Sequence, residues 1–227
     1  QAKYYSLFPF AWVDYYGSLF KVKAKVTQFS PLIPNDYQRV SYPLGVYEWE
    51  LNNSTSDTYD VAVMLVINNP YGASATLASS GNFSGIVLNK SGSGTPTLET
   101  QGEFCLASVS SGSTTVSRMS SSSLSTIESD FSADGVLANT VGSNTLGAVA
   151  FKITLSPGQS VRIPIVLTWD IPVAQADYGQ KWYRKYTKHF NRNGTNSWAM
   201  AQEALTNHST WENQLDAWQN EILTNPY

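Results

Sequence analysis

The sequence contains few charged residues: Asp, Glu, Lys and Arg make up 14% of its 227 residues, against about 25% in an average soluble domain. The formal net charge is −3. There is no basic excess to neutralise phosphate groups, so nucleic acid is not an expected partner. Polarity comes instead from Ser, Thr, Asn and Gly, a composition that is common in exported proteins. We therefore expect an extracellular or cell-surface location, with the cytoplasm as the alternative.

Cysteine and histidine are almost absent. The one cysteine, Cys105, excludes an internal disulfide, and its place in the strand-like segment GEFCLASV predicts a buried hydrophobe and not a reactive thiol. The two histidines, His189 and His208, have no partner at metal-ligand spacing, so the sequence predicts neither a metal site nor a Ser-His-Asp triad. No Gly-rich phosphate loop follows a strand, and no cofactor is expected.

Long apolar runs are also missing. No segment reaches the ~18 apolar residues of a transmembrane helix. The chain begins at Gln1 and not at a methionine, so we expect that a leader was removed or that the N-terminus was trimmed. Six Asn-x-Ser/Thr sequons are candidate N-glycosylation sites, although several would arise by chance in this composition. They are Asn52, Asn53, Asn82, Asn89, Asn193 and Asn207.

What the sequence does contain is short alternating segments that are typical of β-strands. Residues 18–29 alternate apolar side chains with lysines, and Val46–Leu51 alternates in the same way. Tyr59–Ile67 is almost continuously apolar, which predicts a central strand covered on both faces. Two polar stretches between Ala73 and Thr126 are predicted to be loops or edge hairpins. Short strands, many turn signals and no early helical periodicity predict a mainly β fold, an antiparallel β-sandwich. Further candidate strands are Phe83–Leu88, Phe104–Val109, Val149–Leu155 and Ser160–Trp169.

The periodicity becomes helical after Asn193. Trp198, Ala201 and Leu205 predict a short helix. The segment STWE at 209–212 is typical of a capping box that starts a second helix. An apolar stripe follows it, with spacings of four, three and four. Because buried tryptophans each cover on the order of 150–250 Å², those of this tail are expected to pack on the sandwich or on a second domain. The stripe consists of Trp211, Leu215, Trp218 and Ile222.

Three acidic residues are the candidates for catalysis. Glu48 and Glu50 share a strand face about 6.5–7 Å apart, close to the separation of paired glycosidase carboxylates. We interpret them as a solvated face opposite an apolar one. Asp170 follows the strand segment LTW and is expected to accept backbone hydrogen bonds at the strand end. The sequence therefore predicts no catalytic residue in this chain.

Residues 181–192 interleave basic and aromatic side chains. A patch for phosphate or anionic lipid is one interpretation of this segment. We favour hydrogen bonds and stacking contacts with another domain. The basic residues are Lys181, Arg184, Lys185, Lys188 and Arg192, and the aromatic ones are Trp182, Tyr183, Tyr186 and Phe190.

The run LTWDIPVAQADYGQKWYRKYTKHFNRNG at 167–194, with the tryptophan-bearing helix after it, resembles glycoside hydrolase family 116. The segments SPLIPND at 30–36 and SYPLGV at 41–46 are similar to the opening motifs of that family, and residues 130–137 give a third, weaker match. The similarity spans nearly the whole chain in the family's order, except for the Ser/Thr-rich loops. The family contains the non-lysosomal glucosylceramidase, also called bile-acid β-glucosidase, and bacterial and archaeal β-glucosidases and β-xylosidases.

The resemblance implies an N-terminal β-sandwich followed by an (α/α)6 catalytic barrel that carries the glutamate nucleophile and the aspartate acid/base. None of the family's catalytic motifs has a counterpart here. The chain is therefore expected to be the non-catalytic half of a retaining enzyme, inactive alone, whose partner barrel binds a β-glucoside or β-xyloside. We assign residues 1–175 to the sandwich and 176–227 to an aromatic-basic joint and a helical linker toward the barrel. The residues expected to contact the barrel are Asp170, Trp182, Tyr183, Arg184, Tyr186, Trp211 and Trp218.

Two alternatives remain open from the sequence. The first is an exported structural subunit or surface-assembly component derived from such a sandwich. The second is a free-standing carbohydrate-binding module that uses exposed aromatic residues such as Trp12, Tyr15 and Tyr16.

Overall fold

The computed structural model describes residues 1–17, 20–69, 74–89, 94–142, 146–176 and 179–225. Within them the chain forms two packed sheets and two α-helices, mainly β as expected. The strands are β1 (Ala2–Leu7), β2 (Phe10–Tyr15), β3 (Lys23–Phe29), β4 (Leu44–Asn52), β5 (Tyr59–Asn68), β6 (Ser74–Ser80), β7 (Phe83–Asn89), β8 (Glu103–Val109), β9 (Thr115–Ser121), β10 (Thr140–Val141), β11 (Leu146–Leu155), β12 (Ser160–Asp170), β13 (Val173–Gln175) and β14 (Lys181–Tyr183), and the helices are α1 (Leu124–Asp134) and α2 (Ser197–Leu223).

The larger sheet has eight antiparallel strands in the order β1-β2-β3-β4-β12-β8-β7-β6. The smaller sheet has the order β10-β9-β11-β5, and β13 pairs with β14 in a separate hairpin. The eight-stranded and the four-stranded sheet pack face to face. Because side chains alternate in direction along each strand, each sheet presents one apolar face to the other. Their shared core contains apolar residues from both, including Leu106, Phe151 and Ile165.

Each sheet also carries a helix on its outer face. Helix α2 lies on the eight-stranded sheet, where Trp211 and Leu215 share an apolar cluster with Val46 and Ala107. Helix α1 lies on the four-stranded sheet, where Ile127 packs with strand β11. The layers are therefore α2, eight strands, four strands and α1, and α2 is the element that joins the sandwich to the C-terminal end of the chain.

Strand β5 differs from its prediction. Its two faces are covered only in part, by the opposite sheet and by the α1 cluster, and its apolar residues are half-buried. It also lies at the edge of the smaller sheet and not in the centre. An apolar strand reports which faces are covered, but it carries no information about how many strands pair with it.

The Ser-rich stretch Ser108–Thr126 also differs. It contains β9, an interior strand of the smaller sheet, and the start of α1. Ser117 and Ser120 are buried, and the Ser117 hydroxyl accepts a hydrogen bond from the backbone N–H of Leu137 at 2.9 Å. Because each buried hydroxyl finds a partner, a polar sequence is accommodated in the sheet.

The C-terminal region forms one helix of 27 residues and not two. The predicted capping box at 209–212 is wrong, because Ser209 and Thr210 are exposed residues within α2. The buried residues before and after them, Ala204 and Trp211 among them, pack against the same sheet. A continuous helix keeps Trp211 and Leu215 on that sheet with the earlier stripe and leaves no backbone group unpaired between them. The predicted stripe does not extend to its last member, because Ile222 is 57% exposed.

Candidate functional site

The joint between the sandwich and α2 folds back onto the sheet. After β12 the chain forms the β13–β14 hairpin, in which Val173 pairs with Tyr183. The backbone N–H of Arg184 then donates to the carbonyl of Pro172 at 2.8 Å. A 3-10 turn at Lys185–Lys188 leads toward α2. The aromatic-basic segment is therefore held against the chain at both ends.

The side chain of Asp170 holds the joint, residues 171–196, on the larger sheet. Its side chain is fully buried and accepts three hydrogen bonds: from the Tyr186 hydroxyl at 2.7 Å, from the backbone N–H of Asn196 at 2.8 Å and from the Asn196 side-chain amide at 2.7 Å. The predicted role at the strand end is therefore correct, although two of the three donors are side chains. The carboxylate ties β12, the 3-10 turn and the start of α2 to one point.

Glu103 is a second buried carboxylate beside it, and it was not among the residues predicted from the sequence. It is the direct cross-strand neighbour of Asp170, and it accepts hydrogen bonds from the backbone N–H of Ser197 at 2.9 Å and from the Ser197 hydroxyl at 2.7 Å. The first turn of α2 favours negative charge at its N-terminus. An acidic residue at the start of an apolar strand was the available signal. Since Glu103 is 4% exposed and Asp170 0%, no substrate reaches this pair, and its chemistry is structural.

Tyr186 gives a pH-dependent prediction. Burial and the neighbouring Asp170 carboxylate raise its phenol pKa above the ordinary 10.0. A raised folded-state pKa contributes stability that is fully present below the unfolded pKa and is lost as the pH rises through the folded one. We expect the stability difference between the native chain and Tyr186→Phe to narrow above pH ~10. Urea unfolding of both proteins between pH 8 and 11 measures this; a constant difference would contradict it.

The segment between β13 and α2 carries seven exposed aromatic and basic residues, which together we call the aromatic-basic face. Trp182 is 53% exposed and Tyr183 43%. The Arg192 guanidinium lies 4.1 Å from the centre of the Tyr183 ring, and Lys185 Nζ lies 4.7 Å from that of Tyr37. None of its five basic residues forms a salt bridge with a carboxylate of the described residues. The face consists of Lys181, Trp182, Tyr183, Arg184, Lys185, Lys188 and Arg192.

The seven residues predicted to contact a barrel thus occupy different environments. Trp182, Tyr183 and Arg184 are exposed. Asp170, Tyr186 and Trp211 are buried by their own chain, and Trp218 is half-buried, with its ring edge-on to Phe8 at 6.2 Å. Contact with a second domain stays a prediction for the set. The buried three hold the joint and α2 on the sandwich.

The interpretation of Glu48 as a solvated residue is wrong. Its side chain is 2% exposed, because it faces α2; Glu50, two residues on, is exposed as expected. Glu48 Oε2 lies 2.8 Å from Nδ1 of His208, and Oε1 lies 3.7 Å from Nε of Arg162. Arg162 also donates from Nη2 to both oxygens of Glu212 at 2.6 Å. The cluster links β4 and β12 to α2, so Glu48 is a structural residue and not one of a catalytic pair.

Among the six sequons, Asn53 is not accessible for N-glycosylation in the folded chain. Its side chain is fully buried, and its amide donates to the carbonyls of Asp57, Leu155 and Ser156. The amides of Asn89 and Asn207 donate to neighbouring groups, and Asn52 is half-buried. Asn82 and Asn193 have exposed side chains. Occupancy of these sites stays a prediction.

The aromatic residues of the carbohydrate-binding alternative do not form one surface. Trp12 stacks on Phe10 beneath α2, with ring centres 5.6 Å apart. Tyr15 lies on the opposite face of the larger sheet from Trp12, where it stacks on Trp49. Tyr16 is exposed. A flat sugar-binding platform would need these rings side by side, so the structure gives no support for this use of the three residues.

Within the ranges given above, we find no group of three or more His, Cys, Asp or Glu side chains that could hold a metal ion. None of the helices in that part of the chain is long and apolar enough to cross a membrane.

Comparison with known proteins decides the family. A family model described as beta-glucosidase 2, glycosyl-hydrolase family 116 N-term, matches residues 1–211. The chain belongs to this family. It is thus an N-terminal domain of glycosyl-hydrolase family 116, and the resemblance seen in the sequence is confirmed.

One solved structure shows a distant likeness. Its description reads "Putative kojibiose phosphorylase from human microbiome"; the sequence identity is 10% and the TM-score 0.40. The match covers 88% of this chain and 21% of that one. The family 116 N-terminal domain therefore spans about a fifth of the length of that protein.

Proposed function

We propose that this family 116 domain is the non-catalytic half of a retaining β-glycosidase and that it binds a catalytic domain through the aromatic-basic face. The observation that carries the proposal is the face itself. It has two large exposed aromatic rings, Trp182 and Tyr183, and its five basic side chains form no salt bridge with a carboxylate of the described residues. Tryptophan, tyrosine and arginine are the residues that most often dominate binding energy at interfaces.

The buried groups support the same role. Asp170 and Glu103 attach Tyr186 and the first turn of α2 to the larger sheet, so we infer that the part of the face next to them is ordered before a partner binds. A pre-ordered surface loses little conformational entropy on association. The catalytic domain is expected to be an (α/α)6 barrel with a glutamate nucleophile and an aspartate acid/base. It would hydrolyse a β-glucoside or β-xyloside through a glycosyl-enzyme intermediate.

The first test is binding between this chain and the catalytic domain, produced separately and mixed. We expect Trp182→Ala to weaken the complex by about 30-fold, since a central tryptophan is typically worth about 2 kcal/mol at an interface. The unpaired cations should also make the affinity fall as salt rises. Isothermal titration calorimetry at two salt concentrations measures both effects.

Tyr5→Ala is the matched control, because Tyr5 is an exposed aromatic residue on β1, outside the face. Equal losses in the two variants would contradict the proposal. The chain alone is predicted to have no β-glucosidase or β-xylosidase turnover. If the isolated chain showed turnover, and a correctly folded Glu48→Gln variant had lost it, the proposal of a non-catalytic half would be wrong.

An extracellular or surface location is also part of the proposal. The exposed sequon at Asn82 is where a glycan would be accommodated without disturbing the fold. Asn193 is also exposed, but its Oδ1 accepts hydrogen bonds from Thr195 and Asn196. Peptide mass spectrometry of protein from its native source would find the glycans, and unmodified peptides at both positions would count against an exported glycoprotein.

A further inference from the structure

The polar cluster around Glu48, beneath the middle of α2, contains a contact that needs a proton. Glu48 Oε2 and His208 Nδ1 lie 2.8 Å apart. Both atoms are shielded from solvent, and neither has another hydrogen-bond partner among the described residues. A carboxylate oxygen and an unprotonated ring nitrogen are both acceptors, so they would repel each other at this distance. A proton must therefore lie between them.

Three protonation states place a proton at this contact. In the first, the imidazole is neutral and carries its proton on Nδ1. In the second, it is an imidazolium with a proton on each nitrogen. In the third, the Glu48 carboxyl is protonated and donates to Nδ1. The neighbouring charges distinguish these states, because buried charges in a folded protein are normally paired.

The buried charges of the cluster come from two strands and the helix. Glu48 lies on β4 and Arg162 on β12, while Glu212 lies on α2, one turn beyond the imidazole. Arg162 Nη2 is 2.6 Å from Glu212, and Arg162 Nε is 3.7 Å from Glu48. One guanidinium thus faces two carboxylates, which leaves one negative charge without a partner while the imidazole is neutral. The imidazolium form of His208 supplies the missing positive charge.

The other charges on this side of the larger sheet do not supply it. Glu50 lies two residues further along β4 and is exposed, Lys25 is opposite it on β3, and Asp14 is opposite Lys25 on β2. None of the three is within salt-bridge distance of the cluster. One lysine between two carboxylates leaves no positive excess, and solvent screens such surface charges.

We propose that His208 and Glu48 form a pH-sensitive ion pair that attaches the middle of α2 to the larger sheet more strongly as the medium becomes acidic. The imidazolium donates from Nδ1 to the buried carboxylate. The side chain of His208 is 17% exposed, so solvent protons reach the ring. The only exchange is of one proton between the ring and water. Once the ring is neutral, the Nδ1–H hydrogen bond is kept, but the charge attraction is lost.

The direction of the pH dependence follows from where the pair exists. In the unfolded chain the two side chains are separated and solvated, so the charged pair stabilises only the folded state. Its contribution to stability is present where the imidazole is protonated and is lost as the pH rises and the ring loses its proton. Arg162 keeps its charge throughout, since a guanidinium is not deprotonated in proteins.

Urea unfolding of the native chain and of His208→Gln, between about pH 5.5 and 8, tests the proposal. We expect the substitution to raise the equilibrium constant for unfolding about tenfold more at the lower pH than at the higher one, because it removes one partner of a buried charged pair. His189→Gln is the matched control. His189 is the only other histidine, and it is exposed, with no salt bridge among the described residues. Its effect should be the same at both pH values.

Glu48→Gln identifies the partner of the imidazole. The amide keeps the shape of the side chain and an oxygen that accepts from Nδ1–H, but it removes the charge. In the Glu48→Gln background, the effect of His208→Gln should no longer depend on pH. Comparison of the two single variants with the double variant isolates this coupling.

Nitrogen-15 NMR of the imidazole in the native chain gives a readout that does not depend on whether any variant folds. We expect both ring nitrogens of His208 to be protonated at the lower pH, and Nδ1 alone at the higher pH. A ring that stays neutral at the lower pH would overturn the proposal. So would a His208→Gln effect that is equal at both pH values, or a pH dependence that persists in the Glu48→Gln background.

Discussion

Asp170→Ala is expected to lower the free energy of unfolding by about 3–5 kcal/mol, the usual cost of removing one member of a buried charged network. The carboxylate is fully buried and accepts hydrogen bonds from Tyr186 and twice from Asn196. Without it, the buried Tyr186 hydroxyl and the part-buried backbone N–H of Asn196 lose this acceptor, and each such loss is costly. The Asn196 side-chain amide keeps Asn193 Oδ1 as an acceptor. Urea denaturation followed by circular dichroism measures the change from the midpoint and slope.

Asp216→Ala is the matched control, since this aspartate is exposed on α2, and its effect should stay within about 0.5 kcal/mol. Tyr186→Phe removes one of the three donors. Its loss in free energy of unfolding should lie between those of Asp170→Ala and Asp216→Ala. An Asp170→Ala protein as stable as the native chain would show that Asp170 does not hold the joint on the sheet. The argument that the aromatic-basic face is anchored before binding would then be wrong.

Trp211→Ala is expected to cost a similar amount, about 3–5 kcal/mol, because it leaves a large cavity in a packed core. Trp211 is 1% exposed and lies in the cluster that joins α2 to the larger sheet, together with Phe29 and Leu215. The surrounding side chains belong to two rigid elements and can close the gap only in part. The same denaturation experiment measures the loss.

Trp182→Ala provides the contrast. The side chain is of the same type but half exposed on the β13–β14 hairpin, so its removal should change stability by less than about 1 kcal/mol. Binding of the catalytic domain should respond in the opposite order, with the large effect at Trp182. If Trp182→Ala destabilised the chain as strongly as Trp211→Ala, Trp182 would be a core residue and not part of a binding face.

The sandwich could be predicted from the sequence because its strands alternate with a period of two. The segments around Val46, Phe83, Phe104 and Ser160 all form strands close to their expected bounds. Family membership could be predicted as well, since motifs in the right order spread along most of the chain. These signals are local, so they can be recognised in the sequence without knowledge of the tertiary contacts.

The candidate site was predicted only in part. The aromatic-basic segment and the role of Asp170 were visible, because their residue types are unusual for a core or a plain surface. The helix break before Trp211 was not real, since tertiary packing on one sheet overrides a local capping pattern. Glu48 was misplaced because alternation shows which residues share a face, but not whether a helix covers that face.

The amino-acid sequence by itself determined the strands, the β-sandwich class and the family, because these depend on side-chain period and on motif order. Only the tertiary structure decided that α2 covers the outer face of the larger sheet and that Asp170 and Glu103 meet at its first turn. It also decided that β5, among the described strands, pairs with β11 alone. Each of these results depends on contacts between residues far apart in the chain. Such contacts are selected by packing and by the pairing of buried polar groups, and local sequence patterns do not encode them.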